Sequence, residues 1–115
     1  MNSKSFKAGI ITSSILIFML GVSISSCKKD ATPGANQVFM QNTAFNPQSI
    51  TVAVNSTVTW TNKDNMTHNV TSDSGWFVSG NIAPGATYSH QFTTAGTYNY
   101  QCTIHAGMTG SVVVH

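Results

Sequence analysis

Short segments of alternating apolar and polar residues occupy most of the chain after residue 37, and they limit the folds that it can adopt. Residues 57–61, for example, place Val58 and Trp60 on the same face of an extended strand. No segment of residues 28–115 has a sustained helical repeat. The pattern predicts an all-β domain, an antiparallel Greek-key β-sandwich or barrel. Its other predicted strands, with turn residues between them, are at residues 49–54, 68–71, 86–92, 97–102 and 111–114.

The N-terminal 26 residues have the features of a bacterial lipoprotein signal peptide. Lys4 and Lys7 precede an apolar run at residues 8–22, which is short for a membrane span. The segment Ile-Ser-Ser then precedes Cys27 and resembles a lipobox, in which the Cys is lipidated and becomes the mature N-terminus. An uncleaved N-terminal anchor with an incidental Cys is the alternative.

This prediction sets the domain organisation and the location. Residues 1–26 are the signal peptide, residues 27–36 are the lipidated Cys and a flexible tether, and residues 37–115 are the folded domain. We expect the domain outside the cytoplasm, anchored by lipid to the periplasmic or cell-surface side of a bacterial membrane. Lys28, rather than the Asp that commonly retains lipoproteins at the inner membrane, favours the outer membrane.

The charge pattern excludes one class of partner. Only 7% of the residues are charged, and there is no Arg and no Glu, so the chain has no basic patch for nucleic acid. Docking to a protein should therefore depend little on long-range steering or on salt. The charges from Cys27 onward sum to zero, since three lysines balance three aspartates: Lys28, Lys29, Lys63, Asp30, Asp64 and Asp73.

Four side chains with sulfur or imidazole donors form a candidate metal site. Cys102, His105 and Met108 are three residues apart in a tight loop before the last strand, and His68 ends an earlier loop. Two His, one Cys and a weak axial Met are the ligands of blue copper sites. If Cys27 is lipidated, Cys102 has no partner for a disulfide within the domain, so a bound metal would give this thiol a use.

The residues of this candidate site have three alternative interpretations. A Cys–His nucleophilic pair needs a third orienting group, for which no Asn or Asp is obviously placed, and it has no use for Met108. A structural zinc site would more often contain paired Cys-x2-Cys or His-x3-His ligands. In the third alternative the Cys is buried, the His is on the surface and the Met is in the core of a sandwich that binds no metal.

Five segments resemble the small cupredoxins, the group of plastocyanin, pseudoazurin and amicyanin. The resemblance extends over residues 38–115, and the Cys-x2-His-x2-Met spacing is most similar to that of amicyanin. The segments are FNPQSITV (residues 45–52), TVTWTNKD (57–64), HNV (68–70), IAPGATYSHQF (82–92) and AGTYNYQCTIHAGMTGSVVV (95–114).

The resemblance implies roles for individual residues. His68, Cys102 and His105 would be strong ligands of one type 1 copper ion, and Met108 would be the distant axial ligand. Asn69 would hold the two ligand loops together and shield the thiolate. Electrons would pass through the exposed edge of the second imidazole, within an apolar patch, here called the electron port, that comprises His105, Ile104, Ala106 and Met66.

These features together predict an electron carrier that cycles between Cu(II) and Cu(I) at a membrane surface. Four protein ligands leave no position for substrate, so we do not expect an enzyme. Redox partner proteins are expected, for example a cytochrome or a copper oxidase or reductase. The main alternative is a lipoprotein that holds copper and delivers it, and a metal-free adhesion module is a further one.

Three aromatic residues outside this site have more than one interpretation. His90 alternates with Tyr88 and Phe92, so it is predicted to point inward, as a packed His or as part of a second metal site. Trp76 and Phe77 either form a docking surface or cover one end of the domain.

Overall fold

The computed structural model describes residues 31–115, which form eight strands connected by turns and loops. In the strands at residues 57–62 and 109–114, buried residues alternate regularly with more exposed ones, so each of these strands has one buried face. The strands are β1 (Gln37–Met40), β2 (Phe45–Asn46), β3 (Ser49–Val52), β4 (Thr57–Asn62), β5 (Thr71–Ser72), β6 (Thr87–Gln91), β7 (Gly96–Gln101) and β8 (Thr109–Val114).

The strands form two four-stranded sheets, in the orders β2-β1-β4-β6 and β3-β8-β7-β5. The predicted β-sandwich is therefore confirmed. Its pairing needs one correction, because each sheet contains a parallel pair, β1 with β4 and β3 with β8. The other four pairs are antiparallel, as expected.

The parallel pairs arise because β2 and β3 form one extended segment that changes sheet. Pro47, which has no N–H to donate, follows β2 and ends its pairing with β1. After β3, a turn at Asn55 reverses the chain into β4, which therefore runs in the same direction as β1. Asn55 has a φ of 76°, a left-handed conformation that Asn tolerates well.

The core lies between the two sheets. Val58 and Trp60 of β4 are fully buried, as their alternation predicted. The second sheet contributes Tyr100 and Val112, which are also buried. Trp60 lies at the centre, with ring centroids 5.5 Å from Tyr100 and 5.9 Å from Phe77. This aromatic packing, rather than ion pairing, dominates the interior.

The observed strands differ from the predicted ones in two regions. The strand expected at residues 68–71 is not formed, because His68 makes only an isolated bridge to Ile82 and the chain enters β5 at Thr71. Strands β1 and β2 were not predicted; β1 has three consecutive buried residues and β2 has two residues, so neither shows an alternation.

The signal peptide predicted at residues 1–26 and the lipidation site at Cys27 lie outside the described residues. Residues Pro33–His115 form one compact unit. Within residues 31–115 there is no helix of the length and hydrophobicity that a membrane crossing needs.

Candidate metal centre

Two loops bring the predicted ligands together. One loop joins β4 to β5 and contains His68, and the other joins β7 to β8 and contains Cys102, His105 and Met108. His68 is held at both of its backbone polar groups, since its N–H donates to the Ile82 carbonyl at 3.2 Å and its carbonyl accepts from the Ile82 N–H at 2.7 Å. This bridge fixes the backbone of the first loop where the side chain turns toward the second.

Three donor atoms converge at this point. The Cys102 Sγ lies 3.9 Å from His68 Nδ1 and 3.7 Å from His105 Nδ1, and the two Nδ1 atoms are 3.2 Å apart. Ligands of a first-row ion such as zinc lie about 2.0–2.3 Å from the metal, so ligands of one ion are separated by about 3–4 Å. The three atoms therefore have the spacing and the donor chemistry to hold a single ion, and they form one cluster in the described chain.

Met108 lies at the end of the same loop and is almost completely buried. The Cys102 N–H donates to the Met108 carbonyl at 2.9 Å, and the Met108 N–H donates to the His105 carbonyl at 3.3 Å. Gly107 has a φ of 84°, which closes the loop without steric conflict. These two hydrogen bonds fix the backbone of Met108 relative to Cys102 and His105.

Asn69 joins the two ligand loops, as the family resemblance implies. Its Nδ2 donates to the Thr103 hydroxyl at 2.8 Å, and its Oδ1 accepts from the Thr103 N–H at 3.0 Å. The Thr71 hydroxyl donates to the same Oδ1 at 2.9 Å. Since Thr103 directly follows Cys102, these bonds fix the backbone beside the thiol.

Asp64 is a residue of the site that the sequence analysis did not identify. Its Oδ2 lies 2.8 Å from His68 Nε2. A carboxylate only accepts hydrogen bonds, so His68 Nε2 is the donor in this contact, and the other ring nitrogen, Nδ1, faces Cys102 and His105. Carboxylates commonly orient ligand imidazoles in this way, and a search for acidic residues near His68 would have found it.

The Asp64 carboxyl is stabilised as an anion. Partial burial raises its pKa, but the N–H of Thr43, the His68 ring and the N–H of Asn42 outweigh this effect and hold the pKa below its usual value. The side chain is 12% exposed, and that of His68 is completely buried. A charged, hydrogen-bonded carboxylate therefore lies directly behind the imidazole.

The four residues of the expected electron port are at the surface of this end. His105 is half-buried, and Ala106 is exposed beside it. Ile104 and Met66 are 47% and 41% exposed, which is unusual for large apolar side chains in this domain. Of the three residues of the cluster, His105 is partly exposed, whereas His68 and Cys102 are buried.

The three aromatic residues outside the site, which had open interpretations, differ in their surroundings. His90 is half-buried against the rings of Phe77 and Phe92, at 4.9 and 4.8 Å, and it belongs to no metal-binding cluster within residues 31–115. Phe77 is a core residue, whereas Trp76 is 67% exposed and touches Tyr98. The interpretation of Trp76 as a docking residue stays a prediction.

Comparisons with known proteins agree with this geometry. The model of the cupredoxin-like domain family matches residues 13–114. Amicyanin of Paracoccus denitrificans is 37% identical over 95 residues, covering 74% of this chain and 69% of its own. Plastocyanin of Scenedesmus fuscus is 40% identical over 83 residues, covering 61% of this chain and 85% of its own.

A solved structure is similar as well. The reduced Cu(I) form of an amicyanin variant at pH 4 superposes with a TM-score of 0.67 and 35% identity. The alignment covers 75% of this chain and 87% of the amicyanin chain.

Proposed function

This chain belongs to the cupredoxin-like family of small type 1 copper proteins, and on that premise we propose that it carries single electrons between redox proteins. His68, Cys102 and His105 would be the strong ligands of one copper ion, and Met108 the axial one. The observation that carries the proposal is the convergence of two imidazole nitrogens and one buried thiol within 4.8 Å.

The bound copper would supply a one-electron Cu(II)/Cu(I) couple. The protein contributes a site that changes little in shape, because each ligand is tied to the fold by bonds that do not involve a metal. The Ile82 bridge fixes His68, the Asn69 network fixes the backbone after Cys102, and loop hydrogen bonds fix Met108. A pre-formed donor set of this kind lowers the reorganisation that accompanies electron transfer.

Catalysis on a substrate is not part of the proposal. His68, Cys102 and Met108 are all at most 2% exposed, so three of the four proposed ligands are closed to molecules from solution. With four protein ligands there is no open coordination position of the kind that catalytic metal sites keep. The function is therefore binding and transfer of an electron.

The electron port is the proposed docking surface for the redox partner. Ile104 and Ala106 flank His105 in the sequence, and together with Met66 they are exposed and uncharged. The nearest charged residues in sequence are Lys63, whose ammonium lies over the Phe39 ring, and the largely buried Asp64. A partner would need a complementary apolar patch, and its association rate should depend weakly on salt.

We also place the domain at a membrane surface. This part of the proposal is supported by the sequence features around Cys27. Growth of the host cells with labelled palmitate, followed by membrane fractionation, tests it: the wild-type chain should be labelled and membrane-bound, and Cys27→Ser should be neither. Labelling of the Cys27→Ser chain would contradict lipidation at this residue.

Voltammetry with a Cu(I) chelator present tests the electron-carrier role against copper delivery. A carrier keeps its metal, so the copper-loaded domain should give a reversible one-electron wave with constant amplitude through many cycles. A protein that delivers copper would lose the wave as the chelator collects Cu(I). Loss within a few cycles would favour the delivery function over electron transfer.

A further inference from the structure

The turn between β1 and β2 has an unusual backbone. Gln41 and Ala44 bond each other in both directions, at 2.9 and 3.2 Å, and enclose a two-residue loop. Both loop residues have positive φ, 58° for Asn42 and 56° for Thr43. Hairpin turns of this type favour Gly at the second position, where this chain has a β-branched residue in a conformation that such residues rarely adopt.

The two N–H groups of this turn have a common acceptor. The Asn42 N–H donates to Asp64 Oδ1 at 2.7 Å, and the Thr43 N–H donates to Asp64 Oδ2 at 2.9 Å. Successive backbone N–H groups in a turn form a concave site for anions. The turn therefore holds a carboxylate that comes from more than 20 residues further along the chain.

Asp64 is also fixed from its own side. Its N–H donates to the Asn62 Oδ1 at 2.9 Å. The Asn62 side chain is buried and donates to the carbonyls of Met66 and Ile82, at 2.7 and 3.0 Å. The carboxylate is thus held between the turn and the His68 loop, and its remaining contact is with the His68 Nε2–H at 2.8 Å.

We infer that the Asn42–Thr43 turn and Asp64 form a positioning device that fixes the tautomer and the ring orientation of His68. The inference rests on the proposed function, in which His68 is a copper ligand. Neither the turn nor Asp64 touches the metal; they act through the imidazole. Thr43 stays in its unfavourable backbone conformation because its N–H binds the Asp64 carboxylate. By holding the His68 ring in place, the positioning device makes the release of copper slow.

Nitrogen NMR of the metal-free domain tests the device without copper. Wild-type His68 should be a single tautomer with its proton on Nε2. Asp64→Ala and Asp64→Asn should both give a mixture, because alanine has no acceptor and the single amide oxygen of asparagine cannot replace two carboxylate oxygens that accept from the two turn N–H groups and the imidazole. Asp73→Asn is the matched control, since Asp73 is exposed and its carboxylate accepts from the Gln101 side chain rather than from His68. An unchanged single tautomer in both Asp64 variants would overturn the inference.

Copper transfer to bicinchoninate, a Cu(I) chelator, gives the second measurement. Loss of such an orienting partner typically weakens metal binding by about 10- to 100-fold. We expect release from both Asp64 variants to be faster by a factor in this range, with Asp73→Asn unchanged. Copper release from both Asp64 variants at a rate within twofold of the wild-type rate would overturn the inference. If those variants still have the wild-type copper spectrum, the proposed function stands. A wild-type domain that binds no copper would refute the proposed function, and the tautomer measurement would still decide the role of Asp64.

A double-mutant cycle tests the turn itself. Thr43→Gly keeps the N–H and relieves the backbone conformation, so it should raise the thermal midpoint of the metal-free domain and preserve the His68 tautomer. In the Asp64→Ala background Thr43 is free to relax, and the same substitution should raise the midpoint less. Equal increases in the two backgrounds would show that Asp64 does not hold the turn.

Discussion

The metal-site end and the aromatic interior of the domain are organised by different interactions. At the metal-site end, Asn69 and Asp64 satisfy named N–H groups, and every such bond has a direction. In the interior, Trp60 contacts four other aromatic rings, while its Nε1 and the Tyr100 hydroxyl have no hydrogen-bond partner in the described chain. The arrangement of the metal site therefore depends on directed hydrogen bonds. The stability of the interior depends on the volume of the aromatic side chains that it buries.

Because of this difference, we expect that the stability of the domain and its copper spectrum can be changed independently by substitution. Substitutions in the interior should lower the free energy of unfolding and leave the copper spectrum alone, whereas substitutions around the ligands should do more to the spectrum. The following predictions test this separation, and they are ordered from the largest expected effect to the smallest.

Trp60→Ala should have the largest effect on stability. It removes the ring at the centre of the core, and such truncations typically lower the free energy of unfolding by about 3–5 kcal/mol. Urea unfolding of the metal-free domain measures the change, and Trp76→Ala is the control because that ring is 67% exposed. Similar losses in the two variants would show that Trp60 does not organise the core.

Asn69→Ala should affect both properties. It leaves the Thr103 N–H and the Thr71 hydroxyl without their acceptor, which typically lowers the free energy of unfolding by about 1–3 kcal/mol. The visible absorption of the copper-loaded domain should shift as well, because Thr103 adjoins the Cys ligand. Asn99→Ala, at an exposed position of β7, is the control; an unshifted spectrum in Asn69→Ala would contradict the role given to this residue.

Tyr100→Phe should change stability little or improve it. Burial raises the pKa of Tyr100 to about 12. Because the hydroxyl is buried without a hydrogen bond, its removal loses no interaction, and we expect the free energy of unfolding to stay within about 1 kcal/mol of wild type or to rise. A loss above about 2 kcal/mol in urea unfolding would mean that the hydroxyl has a partner.

The pH dependence contributed by His90 should be the smallest effect. Burial lowers the pKa of His90, so the unfolded chain binds a proton more readily than the folded domain. Stability should therefore decrease as the pH falls below about 6.5, and the decrease should end below the folded pKa. In urea unfolding at a series of pH values, His90→Phe should flatten this slope relative to wild type. His115→Gln, at the exposed C-terminal residue, should not.

Much of the site could be predicted because its residues are close together in the sequence. Cys102, His105 and Met108 share one loop, and the strands that flank it have clear alternations. His68 was found from its residue type and its place at the end of a loop. Asp64 was missed because its role depends on a turn about 20 residues earlier, which meets it only after β1 pairs with β4.

The sheet pairing shows the same limit. Alternation identifies strands and their buried faces, and it correctly placed Val58 and Trp60 in the core. It does not reveal that β2 and β3 lie in different sheets, since that depends on packing between residues far apart in the chain. The parallel pairs follow from this change of sheet.

The optical spectrum of the Cu(II)-loaded domain tests the central claim most directly. A thiolate ligand in a type 1 site gives an intense charge-transfer band in the visible region, and we predict this band for the wild-type domain at one copper per chain. Cys102→Ala should abolish the band, with the fold preserved by circular dichroism. Absence of the band in the wild type, or its persistence in Cys102→Ala, would contradict the proposed copper centre.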